Sequence, residues 1–395
     1  MDLTIDSRTL STALALTSRV ASKKATTPML SCARMFAANG IAYLTSTDLH
    51  TSLAIPCAAS VAIPGDVAFD VSNVVESLKS HKASTPVRLV CSDGSMAISV
   101  GGASYKLRTV VADDMPQLPA FRDATTFAHV DGATLARLIA RVAPCVSTDD
   151  TRPHLASMLL ECVTLDDATT VLRAVATDGH RLALDECPTT SAIVGSMLIP
   201  RHALDTLSRA LKGYKGNVAI DTCNAKRIER STNEKREAIT IEKTERTARF
   251  ALDDGRAILA RLTDSQFPPY SQVIPQRSEH RATFDRRALR QAVKVAAASA
   301  GDRGVLHLHW SDRLTITASD PAKGSASIEC EAVTMSSGKI DEIGVSAKYL
   351  GEALDAMTAA HVHLDMSGDS LDPVLVRGAE AHEASALVVV MPCRI

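Results

Sequence analysis

Near the middle of the chain, a strand-like run ends in Ala176-Thr177-Asp178-Gly179-His180-Arg181-Leu182-Ala183. The Thr-Asp step of this run recurs as Thr47-Asp48 and, with serine in place of threonine, as Ser319-Asp320. In each copy an amphipathic helix precedes the strand and a second small helix follows it. The period is roughly 125 to 155 residues, which is far too long for a solenoid repeat. We therefore predict three whole domains of similar structure in one chain.

Each predicted domain contains two short helices and several strands. The first helices follow Ile5-Asp6, Val130-Asp131 and Phe284-Asp285, and the second helices cover 74–78, 204–211 and 350–357. Between them, runs such as 41–45, 158–163 and 305–310 alternate or are apolar, and Gly, Asp and Ser bound them, which is typical of β-strands. The pattern predicts an α+β fold of three similar domains, each an antiparallel sheet plus two helices.

The linkers are expected where proline and polar residues collect, near 115–119 and near 274–278. The predicted domains are therefore residues 1–122, 125–276 and 279–395. One segment of the middle domain, near 226–247, departs from the common plan because acidic and basic residues are mixed in it. Since the acids cancel the bases, we expect a solvated hairpin extension there rather than a nucleic-acid-binding tail.

The composition is that of an ordinary globular protein, with 395 residues of which 46% are hydrophobic and 22% charged. No basic region followed by an apolar run opens the chain, and no apolar run reaches about 18 residues. The sequence therefore predicts a protein that is neither secreted nor membrane-spanning. Nine scattered cysteines without a Cys-x-x-Cys pair indicate reduced, buried thiols in a cytoplasmic protein.

The formal net charge of −2 argues against a protein that coats DNA through overall positive charge. It does not exclude DNA binding, because only the surface that faces the duplex must be positive. The predicted helices of all three copies carry such a local bias, as at Lys79, Arg137 and Arg286. For any one of these residues, a solvated helix face is the alternative interpretation.

Asp178 and His180 suggest a second class of function, a metal-dependent hydrolase, because two residues apart on a strand they could share a face. Zinc or a hydrolase needs further ligands or a nucleophile. The sequence contains no His-Glu-x-x-His, Gly-x-Ser-x-Gly, P-loop or Gly-x-Gly-x-x-Gly motif that would supply them. Catalysis is therefore the weaker hypothesis.

The run at 176–183 resembles the bacterial sliding-clamp family, the beta subunits of DNA polymerase III. The resemblance covers essentially the whole chain and includes Thr151-Arg152-Pro153-His154-Leu155, Phe267-Pro268-Pro269-Tyr270 and the terminal Val389-Val390-Met391-Pro392-Cys393-Arg394-Ile395. It implies a ring of two head-to-tail protomers, with helices lining a hole and sheets forming the outer wall. Such a ring holds double-stranded DNA by topology and reads no bases, so its lining needs to be only weakly basic. Neither an enzymatic activity nor a cofactor is implied.

The resemblance also assigns residues to three surfaces. The DNA-facing residues would be Lys24, Lys79, Lys82, Arg137, Arg141, Arg201 and His202. The dimer interface would use Tyr105 and Leu107 from an edge strand and Ala298 and Ser299 from the end of a partner helix. A client-peptide pocket between the middle and last domains would use Leu155, Thr177, Gly179, His180, Arg181, Leu182, Pro268, Val273, Val389, Met391, Pro392, Cys393 and Arg394.

In this implied pocket, an apolar groove with a basic rim binds short motifs of the polymerase III alpha subunit, the clamp loader and other clients. Leu155, Leu182 and Val389 would hold apolar anchors, while Arg181 and Arg394 would attract acidic or polar flanking residues. Cys393 stands where the family usually has a flexible methionine, which would alter client preference.

Two departures from the family concern the interface and the role of the protein. Alanine at 298 instead of a large apolar residue forfeits about 1.5–3 kcal/mol of burial per site. The charged segment near 226–247 and the altered pocket also leave open a specialised second clamp copy that serves a plasmid, a phage or a resistance locus.

Overall fold

The computed structural model describes residues 1–21, 27–81, 84–121, 123–191, 193–232, 238–275, 279–336, 340–367, 369–383 and 385–394, with the backbone alone at 226–243 and 341. Its helices are α1 (Ser7–Val20), α2 (Val71–Leu78), α3 (Gly132–Val142), α4 (Arg201–Ala210), α5 (Arg286–Ala297) and α6 (Ala347–Ala356). The chain divides into two compact units, Met1–Ala136 with His202–Asp264 and Arg137–Arg201 with Ser265–Ile395.

Strands dominate both units. The first thirteen are β1 (Asp2–Asp6), β2 (Cys32–Ala38), β3 (Ile41–Thr47), β4 (Thr51–Ile63), β5 (Gly65–Asp70), β6 (Pro86–Ser92), β7 (Ser95–Val100), β8 (Ala103–Arg108), β9 (Thr125–Asp131), β10 (Ser157–Thr164), β11 (Thr170–Thr177), β12 (Arg181–Pro188) and β13 (Gly195–Pro200). The others are β14 (Asn217–Thr232), β15 (Ala238–Leu252), β16 (Ala257–Arg261), β17 (His280–Asp285), β18 (Val305–Trp310), β19 (Leu314–Asp320), β20 (Gly324–Cys330), β21 (Thr334–Met335), β22 (Ile340–Ser346), β23 (His361–Met366), β24 (Val374–Gly378) and β25 (Leu387–Val390).

In the first unit, one sheet contains the strands of the first sequence copy together with part of the middle copy. Its main path runs β8-β7-β6-β1-β4-β16-β15-β14-β9, and β2, β3 and β5 branch from it. All of its pairs are antiparallel. The first and middle copies therefore share one continuous sheet, joined where β4 pairs with β16.

The second unit repeats this arrangement for the middle and last copies. One sheet runs β13-β10-β11-β12-β25-β24-β23-β17-β21, and a four-stranded sheet runs β20-β19-β18-β22. The middle and last copies meet where β12 pairs with β25. Small aliphatic side chains fill the cores, as the low aromatic content predicts, for example Leu160, Val175, Leu364 and Val376, all fully buried.

The recurring apolar-Asp pairs start the helices for a simple reason. The apolar residue ends a strand in the core, and the aspartate that follows caps the helix by accepting a backbone N–H of its first turn. Asp6 accepts from the amide of Arg8, at 2.9 Å. Asp131 and Asp285 accept in the same way from Thr134 and Ala288, at 2.9 and 2.7 Å.

The predicted fold class, an α+β fold of three similar domains with two helices each, is confirmed. The hairpin predicted near 226–247 is also confirmed, because β14 and β15 pair without a break from Val218–Leu252 to Thr232–Ala238. Among the described residues, no helix is long and apolar enough to cross a membrane. All nine cysteines are unpaired, and burial raises the pKa of Cys57, Cys187 and Cys330 to about 11, so these thiols stay protonated.

Candidate functional site

The run at 176–183 forms a tight turn between β11 and β12. The Asp178 carboxylate accepts the backbone N–H groups of His180 and Arg181, at 3.0 and 3.1 Å. The Thr177 hydroxyl donates to the carbonyl of Arg181, at 2.7 Å. Gly179 has φ +90°, which L residues rarely adopt, and the space around its missing Cβ is open. The sequence at this turn is therefore dictated by turn geometry, with an exposed backbone at Gly179.

A closely similar turn occurs in the other two copies, one residue longer in the third, which explains the repeated Ser/Thr-Asp step. Asp48 accepts the amides of His50 and Thr51, at 2.8 and 2.6 Å. Asp320 accepts the amides of Ala322 and Lys323, at 2.9 and 3.0 Å. The first copy differs at two positions: Leu49, with φ +79°, stands where the middle copy has Gly179, and Thr51 stands where it has Arg181.

An apolar cluster lies directly behind the middle turn. Leu182 on β12 is opposite Val389 on β25, and the His180 carbonyl accepts the amide of Met391, at 3.0 Å. The cluster contains Leu159, Val175, Leu182, Leu184, Leu198, Leu375, Leu387 and Val389, and the half-buried Phe267, Tyr270, Ile274 and Met391 pack against it. Adjacent to it is a cavity of about 450 Å³, whose walls include Leu159, Leu198 and Pro268.

The structure therefore brings many of the predicted pocket residues together on one surface. Gly179, His180, Val273 and Arg394 are exposed, and Thr177, Pro268, Met391, Pro392 and Cys393 are half-buried. Leu155, Leu182 and Val389 are buried, at 7%, 2% and 1% exposure, so their side chains do not form open walls; Leu182 and Val389 belong to the apolar cluster behind the turn.

Arg181 does not present the free positive charge expected of a basic rim. Its side chain is only 6% exposed, and it forms ion pairs with Asp178, at 3.0 Å, and with Glu352. Another guanidinium nitrogen donates to the carbonyl of Pro144, and the group lies 4.4 Å from the ring centroid of Tyr349. The expectation that Arg181 attracts acidic client residues is wrong, because two carboxylates of the protein already neutralise its charge. Arg394 remains exposed.

Sequence reasoning missed a polar network at the edge of the groove. The Tyr270 hydroxyl donates to Glu161 at 2.5 Å and accepts from Arg173 at 2.9 Å, and Arg173 also pairs with Glu186 at 2.7 Å. Burial and the hydrogen bond to Glu161 raise the pKa of Tyr270 to about 12. The Phe267–Tyr270 motif was the available signal, but its partners lie on β10, β11 and β12.

The predicted DNA-facing residues differ in solvent exposure and in their ion-pair partners. Lys79, directly after α2, is exposed and pairs with Glu76 at 2.5 Å, and His202 on α4 is exposed. Arg201 is 39% exposed beside Asp150, at 3.2 Å. Arg137 is half-buried and bound to Asp185. Lys24 and Lys82 lie outside the described residues.

Arg141 is not available to DNA, and its assignment to the DNA-facing surface is wrong. Its side chain is 1% exposed and forms ion pairs with Asp185, at 2.9 Å, and with Glu383. Its Nε donates to the carbonyl of Ala356, at 3.0 Å. A buried guanidinium needs such partners, because an unpaired charge is costly in the interior.

A groove between α1 and α2 contains the predicted Lys79 together with three basic residues that the sequence analysis did not select, Arg8, Arg19 and His81. Its volume is about 520 Å³, and Arg8, Arg19, Lys79 and His81 line it together with serine and threonine side chains. Short hydroxyl side chains and cations are typical contacts to phosphate oxygens. The sequence signal for this groove was the presence of Arg8 and Arg19 near the two ends of α1 with the hydroxyl residues Ser11, Thr12 and Ser18 between them.

The hydrolase hypothesis finds no support in this geometry. The Asp178 carboxylate is engaged by its own turn and by Arg181. In the part of the chain that the structure describes, no three His, Cys, Asp or Glu side chains are grouped so as to hold a metal ion.

Three models of one protein family match nearly the whole chain. Residues 1–119, 129–269 and 271–394 match the models of the N-terminal, central and C-terminal domains of the DNA polymerase III beta subunit. The chain belongs to this family. It is a DNA sliding clamp, and the two alternatives raised from the sequence are not favoured.

Several known clamps are similar to it over their full length. The beta sliding clamp of Pseudomonas putida is 28% identical over 402 residues and that of Caulobacter vibrioides 27% over 401, each with 100% of both chains covered. The crystal structure of the DNA polymerase III subunit beta from Pseudomonas aeruginosa superimposes with a TM-score of 0.84 at 26% identity, also over 100% of both chains. A structure of the Pseudomonas aeruginosa clamp bound to griselimycin has a TM-score of 0.84 at 25% identity and covers 100% of both chains.

Proposed function

We propose that two copies of this chain close head to tail around duplex DNA in the cytoplasm and tether replication proteins to it without catalysing a reaction. The tethered proteins would be the DNA polymerase III alpha subunit, the clamp loader and other proteins with a clamp-binding motif. Each chain would supply three domains, residues 1–122, 125–276 and 279–395. The observation that supports the ring is that two strands, β8 and β20, each lie at the edge of a sheet.

Two junctions within the chain follow one rule. The strand after a Thr-Asp turn pairs with the last strand of the next copy, which gives β4 with β16 and β12 with β25. Both junctions also have the same extra hydrogen bond, from Arg261 N–H to the His50 carbonyl at 2.8 Å and from Met391 N–H to the His180 carbonyl at 3.0 Å.

By the same rule, one strand of the first copy and one strand of the last copy have no junction partner among the described residues of the chain. In the described residues, β8, the last strand of the first copy, pairs along its length with β7 alone. β20, which follows the third turn, pairs with β19 alone. Unpaired edges expose backbone N–H and C=O groups that a second chain can satisfy. Pairing β20 of one chain with β8 of another forms the third junction, and two such contacts close a ring.

The existing junctions also fix the register that we propose. Leu182 is opposite Thr177 in its hairpin and opposite Val389 across the junction. In the third copy, Ser325 is opposite Ser319 and takes the place of Leu182. Lys106 on β8 corresponds to Val389 on β25. The reason is that β6, β7 and β8 of the first copy pair with one another in the same register as β23, β24 and β25 of the last copy.

Pairing Ser325 with Lys106 places Ala326 opposite Tyr105 and Ile328 opposite Ala103. The side chains of Ala103, Tyr105, Ala326 and Ile328 are half-buried and alternate along their strands with exposed ones. They therefore lie on the same face of the combined sheet. Leu107 would then face Gly324. Ala298 and Ser299 follow α5, which packs on β19 and β20, and are therefore near the same edge.

Cross-linking tests this interface directly. In the proposed register Ser104 and Ser327 are opposite each other, with Cα atoms about 4.5–5.5 Å apart, which a disulfide can span. We expect the double variant Ser104→Cys/Ser327→Cys to form a covalent dimer on mild oxidation. Ser104→Cys/Ser325→Cys, out of register, and each single variant serve as controls. Equal cross-linking of the out-of-register pair would reject the register, and a monomer at micromolar concentration would reject the ring.

Retention on DNA tests the clamp function itself. After treatment with the clamp loader, the protein should stay on nicked circular DNA and should leave when the circle is cut, because topology rather than affinity holds it. Equal retention on linear and circular DNA would contradict this proposal.

For the client site, the groove beside the 177–181 turn offers an apolar floor, an exposed glycine backbone and the exposed Arg394. These features suit a short peptide with apolar anchors. We also propose that griselimycin, which is bound in the Pseudomonas aeruginosa clamp structure, binds this chain. Competition between griselimycin and a fluorescein-labelled peptide with adjacent leucine and phenylalanine would test whether they share a site.

A further inference from the structure

Glu352, on α6 of the last sequence copy, is bonded to the turn that forms one wall of the client groove. Its carboxylate pairs with the guanidinium of Arg181, whose other nitrogens bind Asp178 of the turn and the Pro144 carbonyl beyond α3. The Arg181 side chain is 6% exposed and that of Glu352 is 34% exposed. One arginine thus ties the turn to α6 and to the segment that follows α3, both remote from it in sequence.

The C-terminal tail, residues 391–394, forms the other wall of the proposed groove and is bonded to the strand that precedes α6. The Met391 amide donates to the His180 carbonyl at 3.0 Å, and the Cys393 amide donates to the Gly344 carbonyl at 2.8 Å. Gly344 lies on β22, and the residue that ends β22, Ser346, caps α6 through its side chain. The turn and the C-terminal tail are therefore both held by the β22–α6 segment.

We propose that Glu352 is a positioning residue for the client site, which sets the distance between the turn and the tail without touching the client. This inference rests on the proposed function of the groove. Without the Glu352 charge, Arg181 keeps Asp178 as its one carboxylate partner among the described residues, and that carboxylate must also hold the turn amides. The Pro144 carbonyl and the Tyr349 ring remain as uncharged contacts of Arg181. The turn then loses its ion pair to α6 and is held there by ring contacts with Tyr349 instead, so the groove is less rigidly preformed and affinity falls through the cost of ordering it on binding.

Glu352→Gln tests the proposal, with Asp355→Asn as the matched control. Asp355 lies one turn further along α6 and pairs with Arg290 at 2.9 Å, so each variant removes one carboxylate charge and one ion pair from the same helix. The probe is a fluorescein-labelled synthetic peptide with adjacent leucine and phenylalanine, titrated into the full-length protein. We expect at least a fivefold loss of affinity for Glu352→Gln, with a faster dissociation rate, and less than a twofold change for Asp355→Asn.

Hydrogen exchange provides a readout that does not depend on the peptide. The amides of Gly179, His180, Arg181, Met391 and Cys393 should exchange faster in Glu352→Gln, while those of β10 and β23 stay protected. Glu352→Asp should recover part of both the peptide affinity and the protection. A variant that only lowers the melting temperature, with unchanged affinity and unchanged local exchange, would overturn the inference.

The two proposals can fail separately. If the wild-type protein does not bind the peptide, the client site is wrong, and the exchange data still decide whether Glu352 positions the turn. If the wild type binds and Glu352→Gln binds equally well, the client site stands and the role of Glu352 is rejected.

Discussion

Arg141 donates to the carboxylate of Glu383, and neither side chain reaches solvent, at 1% and 0% exposure. The two residues are 242 positions apart and join the middle and last sequence copies inside the second unit. Glu383 also accepts from the amides of Thr358 and Ala359, at 2.9 and 3.0 Å. A buried charge with this many partners is a structural junction, because removal of one partner leaves the other charge uncompensated.

We expect Arg141→Ala to destabilise the protein by about 3–5 kcal/mol, since it leaves Glu383 buried without its cation and Asp185 with Arg137 as its one remaining cation among the described residues. Arg137→Ala is the matched control, because Arg137 lies one turn earlier on α3, binds the same Asp185 and is 32% exposed. Its loss should cost no more than about 1 kcal/mol. Urea unfolding followed by circular dichroism would measure both. Similar losses for the two variants would contradict the assignment of Arg141 to the core.

The stability of the second unit should fall in acid. Although burial would raise it, the hydrogen bonds from Thr358 and Ala359 and the charge of Arg141 lower the pKa of Glu383. A lowered pKa in the folded state gives stability that is present above the pKa of the unfolded chain and is lost as the pH falls through the folded value. Melting temperatures between pH 7 and pH 3 should drop less steeply in Glu383→Gln than in the wild type. Parallel curves would mean that another carboxyl group dominates.

Basic residues on the helices should govern the salt dependence of DNA retention. Replacing Arg8, Arg19 and Lys79 with alanine should reduce the salt slope by up to about 0.9 for each phosphate group that the variant no longer binds, with folding and dimerisation intact. Arg88→Ala is the control, because Arg88 is exposed on strand β6 and pairs with Asp2. Dissociation rates of loaded protein from circular DNA, measured over a range of salt, would show the effect. An unchanged slope would remove these helices from the DNA surface.

Deletion of residues 391–395 should abolish client binding while leaving a folded dimer, because the segment is terminal and forms one wall of the groove rather than a core. A loss of about 2 kcal/mol or more, roughly 30-fold in affinity, would mark the tail as part of a hot spot. Removal of 394–395 alone should cost much less, since it keeps the Met391–His180 and Cys393–Gly344 hydrogen bonds. Peptide titration and sedimentation of the two truncations would test this, and equal affinity for both would place the client site elsewhere.

Local sequence patterns were sufficient for the repeated architecture. The apolar-Asp pairs predict helix starts because the capping aspartate acts on amides two or three residues away, as Asp6 does with Arg8. The Thr-Asp step predicts the turns for the same reason, since all the groups that it bonds lie within four residues.

Burial of individual cations could not be read from such patterns. Arg137 and Arg141 are one turn apart on α3, yet only one of them lies in the core. The partners that bury Arg141 and Arg181 are 44, 242 and 171 residues away in sequence. An arginine on an amphipathic helix has the same local signature whether it faces solvent or a distant carboxylate.

Leu49, at the position that Gly179 occupies in the middle copy, has a consequence for the number of partners that the protein can carry. The three turns of a chain have almost the same hydrogen bonds, so a closed pair of chains repeats that turn six times around its circumference. Only the middle turn combines a glycine at positive φ with an apolar floor from the next copy. The client site that we propose would therefore occur twice in the closed pair, once per chain, so that two client proteins could bind one ring at the same time.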